Sequence, residues 1–179
     1  MSPIFQSVAF KIGSLVVSHP LKRVANWLKR KLVPFDASKI LIEFQNNPNI
    51  ICNHENSVFN FYILIQIQNF TPYELQIHSC ECRPTIAGYE FIYLTNAKML
   101  SLRSGAKGQY ELGKSLDYHE VKRVEENFGS DTTKAAHFQF HLSVTTTSGI
   151  EMIPPINKTG CITMCRIVSS KSRLRKVGV

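Results

Sequence analysis

The clearest pattern in the chain runs from Val58 to Phe91. In VFNFYILIQIQ, Phe59, Phe61, Ile63, Ile65 and Ile67 alternate with Asn60, Tyr62, Leu64, Gln66 and Gln68. Successive side chains of a strand point to opposite faces, so this alternation predicts a strand with one face in a core. Asn69-Phe70-Thr71-Pro72 breaks it, because Pro72 lacks a ladder N–H and fixes its own φ. LQIHSCECRPTI then predicts a second strand, and Ala87-Gly88 a tight reversal into Tyr89-Glu90-Phe91. Ile92-Tyr93-Leu94 completes that hairpin strand.

Elsewhere the pattern changes period. Ile40, Ile42 and Phe44 alternate with Leu41 and Glu43 as a first strand. Asn46-Asn47-Pro48-Asn49 stops it, and Ile50-Ile51-Cys52 reads as a short continuation. The stretch from Asn96 to Lys134 is the least regular. Tyr118, Val121, Val124 and Phe128 fit a short helix, while 118–124 fits a strand nearly as well. Phe138, Phe140, Leu142 and Val144 alternate cleanly. Ser148-Gly149 turns the chain into Ile150–Ile153, Pro154-Pro155 ends that strand, and Thr159-Gly160 leads into a final strand through Val168. Strands of this length between turn signals predict a mainly β, antiparallel immunoglobulin/fibronectin-like sandwich.

The first 35 residues follow a helical period instead. Phe5, Val8, Ala9, Ile12, Leu15 and Val16 recur at helical spacing, and Pro20 opens a second helix. There Leu21, Val24, Ala25, Leu28 and Leu32 form a stripe. Lys22, Arg23, Asn26, Lys29 and Arg30 lie opposite, with Trp27 at the boundary. An apolar stripe, a cationic face and a boundary Trp suit a helix lying in a membrane interface. The same stripe suits packing on the protein's own sandwich, and the basic, acid-free composition also suits an organellar transit peptide. Neither helix supplies the ~20 apolar residues a span requires.

Charge sharpens this division. Of 179 residues, 21 are Lys or Arg and 13 are Asp or Glu, a net of +8. Six basic residues lie before Asp36 and five from Arg166 onward, with no acid in either stretch. The middle keeps ten basic residues against all 13 acids, a net of −3. The chain thus divides into a basic amphipathic segment (1–35), a β-sandwich domain (36–168) and a basic tail (169–179). Cationic ends suit an anionic surface, lipid or nucleic acid. Nucleic-acid modules place aromatics among their basic residues, and the tail from Arg166 has none. An anionic membrane or a protein partner therefore ranks ahead of nucleic acid.

Candidate chemistry is sparse. Cys80 and Cys82 share a strand face, as do Cys161 and Cys165 in a regular final strand. A C-x-C on a strand sets its sulfurs ~7 Å apart, unlike the knuckles of zinc sites. The five cysteines read as reduced thiols acting as small hydrophobes, with no metal or other cofactor. His137 and His141 flank Gln139 on the polar face, too far apart to share an ion, and His78 and His119 have no evident partners. No nucleophile elbow, P-loop, HExxH or dinucleotide fingerprint occurs, so an enzyme is not expected. Two sequons, Asn69-Phe-Thr71 and Asn157-Lys-Thr159, read as turn residues.

The Asn-rich corner after a long alternating strand and the Gly hairpin resemble the water-stress and hypersensitive-response domain. So do Val144-Thr-Thr-Thr-Ser-Gly149-Ile-Glu-Met-Ile-Pro154 and Lys158-Thr-Gly160-Cys-Ile. That domain is the folded class of late-embryogenesis-abundant proteins. The likeness covers about residues 39–167 and departs at the corner, where Phe70-Thr71 separates Asn69 from Pro72. It implies a fibronectin-like sandwich without a catalytic centre, sometimes tied to membranes or lipid. The expected function is a non-catalytic interaction module, intracellular and peripherally membrane-associated. Its expected contacts are Leu21, Lys22, Arg23, Val24, Trp27, Leu28, Lys29, Arg30 and Leu32. The other reading is a basic-ended subunit of a nucleic-acid or protein assembly.

Overall fold

The computed structural model describes residues 24, 28, 33–54, 57–90, 92–146 and 149–167. The long alternating run forms β3 (Val58–Asn69), and every second residue from Phe61 to Ile67 is buried. β1 (Ile40–Phe44) and β2 (Asn49–Asn53) both run antiparallel to β3 along the same edge of it. They are two halves of one strand interrupted at 45–48, as the short continuation at Ile50-Ile51-Cys52 predicts.

β3 turns through the Asn69–Glu74 corner into β4 (Leu75–Ile86). Ala87 and Gly88 take φ of 52° and 85°, the paired positive values of a two-residue reversal, and Ile86 pairs with Tyr89. The returning strand departs from the uninterrupted run expected through Leu94. It breaks into β5 (Tyr89–Glu90), β6 (Leu94–Asn96) and β7 (Leu100–Leu102), all antiparallel to β4. Each break inserts one residue more than β4 has opposite. Such bulges twist an edge strand away from unwanted pairing.

β8 (Lys107–Ser115) pairs with the free side of β3. Then comes α1 (Tyr118–Phe128), which resolves the helix-or-strand ambiguity in favour of the helix. The deciding feature is Asp117-Tyr-His-Glu120. Asp117 accepts from the Glu120 N–H at 2.8 Å, and Glu120 accepts from the Asp117 N–H at 3.1 Å. This reciprocal box satisfies two orphan donors that a strand would have paired otherwise. Val121, Val124 and Phe128 are buried.

β9 (Thr133–Thr146) pairs with β4 on one side, and with β10 (Gly149–Met152) and β11 (Ile156–Ile167) on the other. β11 closes onto β2 in parallel, Thr163 to Asn49 through Ile167 to Asn53. An all-antiparallel arrangement is thus departed from at one pair. The cause is that β2 continues in the direction of β1 instead of turning back. Hydrogen bonds connect all 11 strands among the described residues into one mixed sheet. The sheet bends round until β6 meets β8, where Asn96 Nδ2 donates to the Glu111 carbonyl at 2.6 Å. The Tyr110 hydroxyl donates to the Asn96 carbonyl at 2.8 Å.

The inner face collects Ile63, Ile65, Ile77, Leu112, Phe138 and Phe140 in one core. Each such side chain contributes about 1.5–3 kcal/mol when removed from water. At Gly160 an added Cβ would lie 3.1 Å from the Phe44 ring, which seats against Phe138 at 4.7 Å between centroids. Glycine there lets β1 fold over β11.

Candidate functional site

The corner between β3 and β4 is fixed by buried polar groups rather than by its proline. Asn69 and Thr71 are fully buried, while Phe70 between them points outward at 53% exposure. The Asn69 amide donates to the carbonyls of Tyr73 and Leu102 at 2.7 and 2.9 Å. Its oxygen accepts from Thr71. The backbone joins in: Phe70 N–H donates to Lys39 O at 2.9 Å, and Asn69 N–H to Ala106 O at 2.9 Å. The expectation that Asn69 and Asn157 are turn residues is corrected: Asn69 ends β3, where its side chain is spent on the fold, and Asn157 lies within β11 opposite Gln139.

The N-terminal segment joins the body at this corner. Tyr73 is buried, its ring 6.2 Å from that of Phe35, and its hydroxyl donates to the Val33 carbonyl. Of the nine expected membrane contacts, Val24 and Leu28 are described. Both are helical and exposed, at 53% and 44%. Leu21, Lys22, Arg23, Trp27, Lys29, Arg30 and Leu32 lie outside the described residues, as do the first helix and the tail from 168. No described helix is long and apolar enough to cross a membrane.

The cysteines divide by face. Cys52, Cys80 and Cys82 are buried as small hydrophobes, whereas Cys161 and Cys165 are exposed, against the expectation that all pack inside. The reason is register: Cys161 and Cys165 occupy the outward positions of β11, around the buried Ile162 and Met164. The two pairs therefore stay on opposite faces of the sheet. Burial drives the Cys80 thiol up to about 12, and Cys82 higher still for the same reason. Among the described residues, no three His, Cys, Asp or Glu side chains cluster as a metal site.

The outer face of β4, β9 and β11 carries a shallow groove of about 580 Å³. Two cross-strand rows line it: Arg83–Gln139–Asn157 and Thr85–His137–Thr159. His141 lies beyond, with its Nε2 3.2 Å from Gln139 Oε1. His137 and His141 thus share a face without converging. His78 sits at a bulge in β4, its Nε2 2.8 Å from Thr145 Oγ1, a partner that alternation alone does not disclose.

These features define a mainly β module whose buried groups serve packing and whose chain entry is tied to one corner. No protein-family model matches the sequence, and no curated protein matches it. Some solved structures resemble it, each of the following with a TM-score under 0.5. A Bordetella pertussis protein named as ApaA is 14% identical, with a TM-score of 0.47 over 74% of this chain and 96% of that one. An Archaeoglobus fulgidus protein is 8% identical, with a TM-score of 0.43 over 69% and 94%. A protein named as late-embryogenesis-abundant is 13% identical, with a TM-score of 0.41 over 86% of each chain.

Proposed function

We propose that this protein is a non-catalytic β-sandwich module, related to the water-stress and hypersensitive-response domain. In this reading it is held peripherally at an intracellular anionic membrane by its basic amphipathic N-terminal segment. The observation that carries it is the exposure of Val24 and Leu28. They stand one helical turn apart on the apolar stripe, and both are exposed. Two exposed positions on the stripe suit a lipid interface, with Lys22, Arg23, Lys29 and Arg30 meeting headgroups. The sandwich reading is supported by burial: β1, β3, β4, β8, β9 and β11 each turn apolar residues into one shared core.

Vesicle flotation of full-length protein tests this. Leu28→Glu abolishes binding to phosphatidylserine-containing vesicles and leaves the melting temperature unchanged. A melting temperature lowered by several degrees would place Leu28 in the protein's own core and end the membrane reading. Binding to RNA but not to vesicles would favour the assembly reading instead.

A further inference from the structure

We infer that residues 7–12 of this chain dock as an added strand in the open split between β1 and β11. This goes beyond the membrane reading and does not depend on it.

The split follows from the parallel join. β2 and β11 stay together from the bond of Thr163 N–H to the Pro48 carbonyl, at 2.9 Å, onward to Ile167. Before that point β1 follows β3 while β11 follows β9, and among the described residues β1 and β11 do not pair. They run in the same direction, since β1 and β2 both lie antiparallel to β3. A groove of about 330 Å³ opens between them, lined by Ala37, Ser38, Leu41, Pro154, Pro155 and Asn157 among others.

Alternation along each ladder decides which backbone groups face this groove. Lys39 O accepts from Phe70 N–H and Gln45 N–H donates to Leu64 O, so Ile42 and Phe44 turn away from β3 and toward the split. Met164 N–H donates to Thr132 O on the β9 side, while Thr163 N–H donates to Pro48 O. Asn157 and Thr159, in phase with Thr163, therefore face the split from β11. The backbone groups of these four residues have no partner among the described residues. Water can meet each group singly, but one extended backbone meets both rows at once. Phe44 and Ile156, which border the split, pack on the core yet stay partly exposed, so an added strand has apolar surface left to cover.

The chain itself arrives at this place. From Val33, whose carbonyl accepts from Tyr73, it runs to Ala37 and Ser38 on the rim. Residues 7–12 lie outside the described residues, and their sequence matches the groove. Val8, Phe10 and Ile12 alternate with Ser7, Ala9 and Lys11, a one-sided strand pattern in a stretch that also fits a helical period. With Val8, Phe10 and Ile12 turned to Phe44 and Ile156, Lys11 falls on the outer side. There Glu43 accepts from Gln68 Nε2 and has no cationic partner among the described residues. The connection is long enough. A helix over 21–32 covers about 18 Å, and residues 13–20 span up to about 26 Å on the way back. Such a tether holds the segment at an effective concentration on the order of millimolar.

The experiment is amide hydrogen exchange on full-length protein without vesicles. The amides of Ile42, Phe44, Asn157 and Thr159 are expected to exchange slowly in wild type. In Phe10→Asp they are expected to exchange at least about tenfold faster, because the apolar cover is lost. Ile63 and Ile65, in the middle of β3, are expected to keep their protection in both proteins. Fast exchange of the four groove amides in wild type, or rates that Phe10→Asp leaves unchanged, would overturn the docking. Equal acceleration at Ile63 and Ile65 would also overturn it, since residues 7–12 would then belong to the main core. A wild-type dimer by light scattering that Phe10→Asp dissociates would assign the strand to a second copy and end the inference of docking within one chain. With vesicles absent throughout, each of these outcomes is separate from the membrane reading.

Discussion

Asn69 Oδ1 accepts from both the backbone N–H and the hydroxyl of Thr71, at 2.9 and 2.7 Å, inside a corner sealed from water. With its two amide donations, Asn69 is used to capacity. Asn69→Ala leaves two carbonyls and the Thr71 donors short of partners. The expected loss is about 2–3 kcal/mol of unfolding free energy, measured by urea denaturation. Asn69→Asp, the same size, should be worse, since it sets a carboxylate against the carbonyls of Tyr73 and Leu102.

The thiols should react in two classes. Without denaturant, a thiol reagent should label Cys161 and Cys165 alone; Cys52, Cys80 and Cys82 should label only on unfolding. Fast labelling of all five in the folded state would contradict the burial described above.

Alkaline stability follows from the same burial. Cys80 ordinarily ionises at 9.0 and is pushed up to about 12 in the fold. Between these values the unfolded chain binds fewer protons, so stability falls as pH rises. The contribution is whole below pH 9 and declines above it. Cys80→Ala should flatten this part of a stability-versus-pH curve.

Acid acts at other groups. Hydrogen bonds from Glu120 N–H to Asp117 and from Ser38 to Asp36 hold both carboxyls below the usual range. Their contribution is present above the unfolded value of 3.8 and is lost as pH falls through the depressed folded values. Asp117→Asn keeps a capping oxygen and should make α1 less sensitive to acid, read by circular dichroism. Glu120→Gln removes the charge that meets Lys114 and should lower stability by about 1 kcal/mol.

The body should also stand alone. A chain of residues 33–167 keeps Val33 and Phe35 against Tyr73 and should unfold in one cooperative transition. A broad, non-cooperative melt would show that residues before 33 complete the core.

Strong alternation was the reliable signal in the sequence. β3 and β9 are long and one-sided, so their positions and buried faces follow from period two alone, whereas β4 changes phase at its bulge between Ile77 and Ser79. The three short strands opposite β4 carry no such pattern, because bulges reset the phase before two alternations accumulate. The parallel join of β2 to β11 depends on contacts over 100 residues apart and leaves no local mark. α1 did leave one: Asp117 and Glu120 at capping-box spacing decide for the helix, which apolar period alone does not. The corner was legible as a turn from Pro72, but not its network. Nothing local says that Asn69 will meet Leu102. The stripe at Leu21–Leu32 was legible as a pattern, and what it faces depends on partners that period cannot name.

The length of β3 has a mechanical consequence. Tyr73 holds the incoming chain at the Asn69 end, while β11 delivers Ile167 beside Asn53, which pairs with Val58 at the other end. Twelve strand residues separate these points, about 36 Å. The body is therefore a rigid strut between its own entrance and exit. Anything fastened at the entrance leaves the exit held well clear of it, farther than electrostatic screening lets charges act on one another at physiological salt. Whatever each end engages, the strut keeps the two engagements electrically independent and at a fixed spacing.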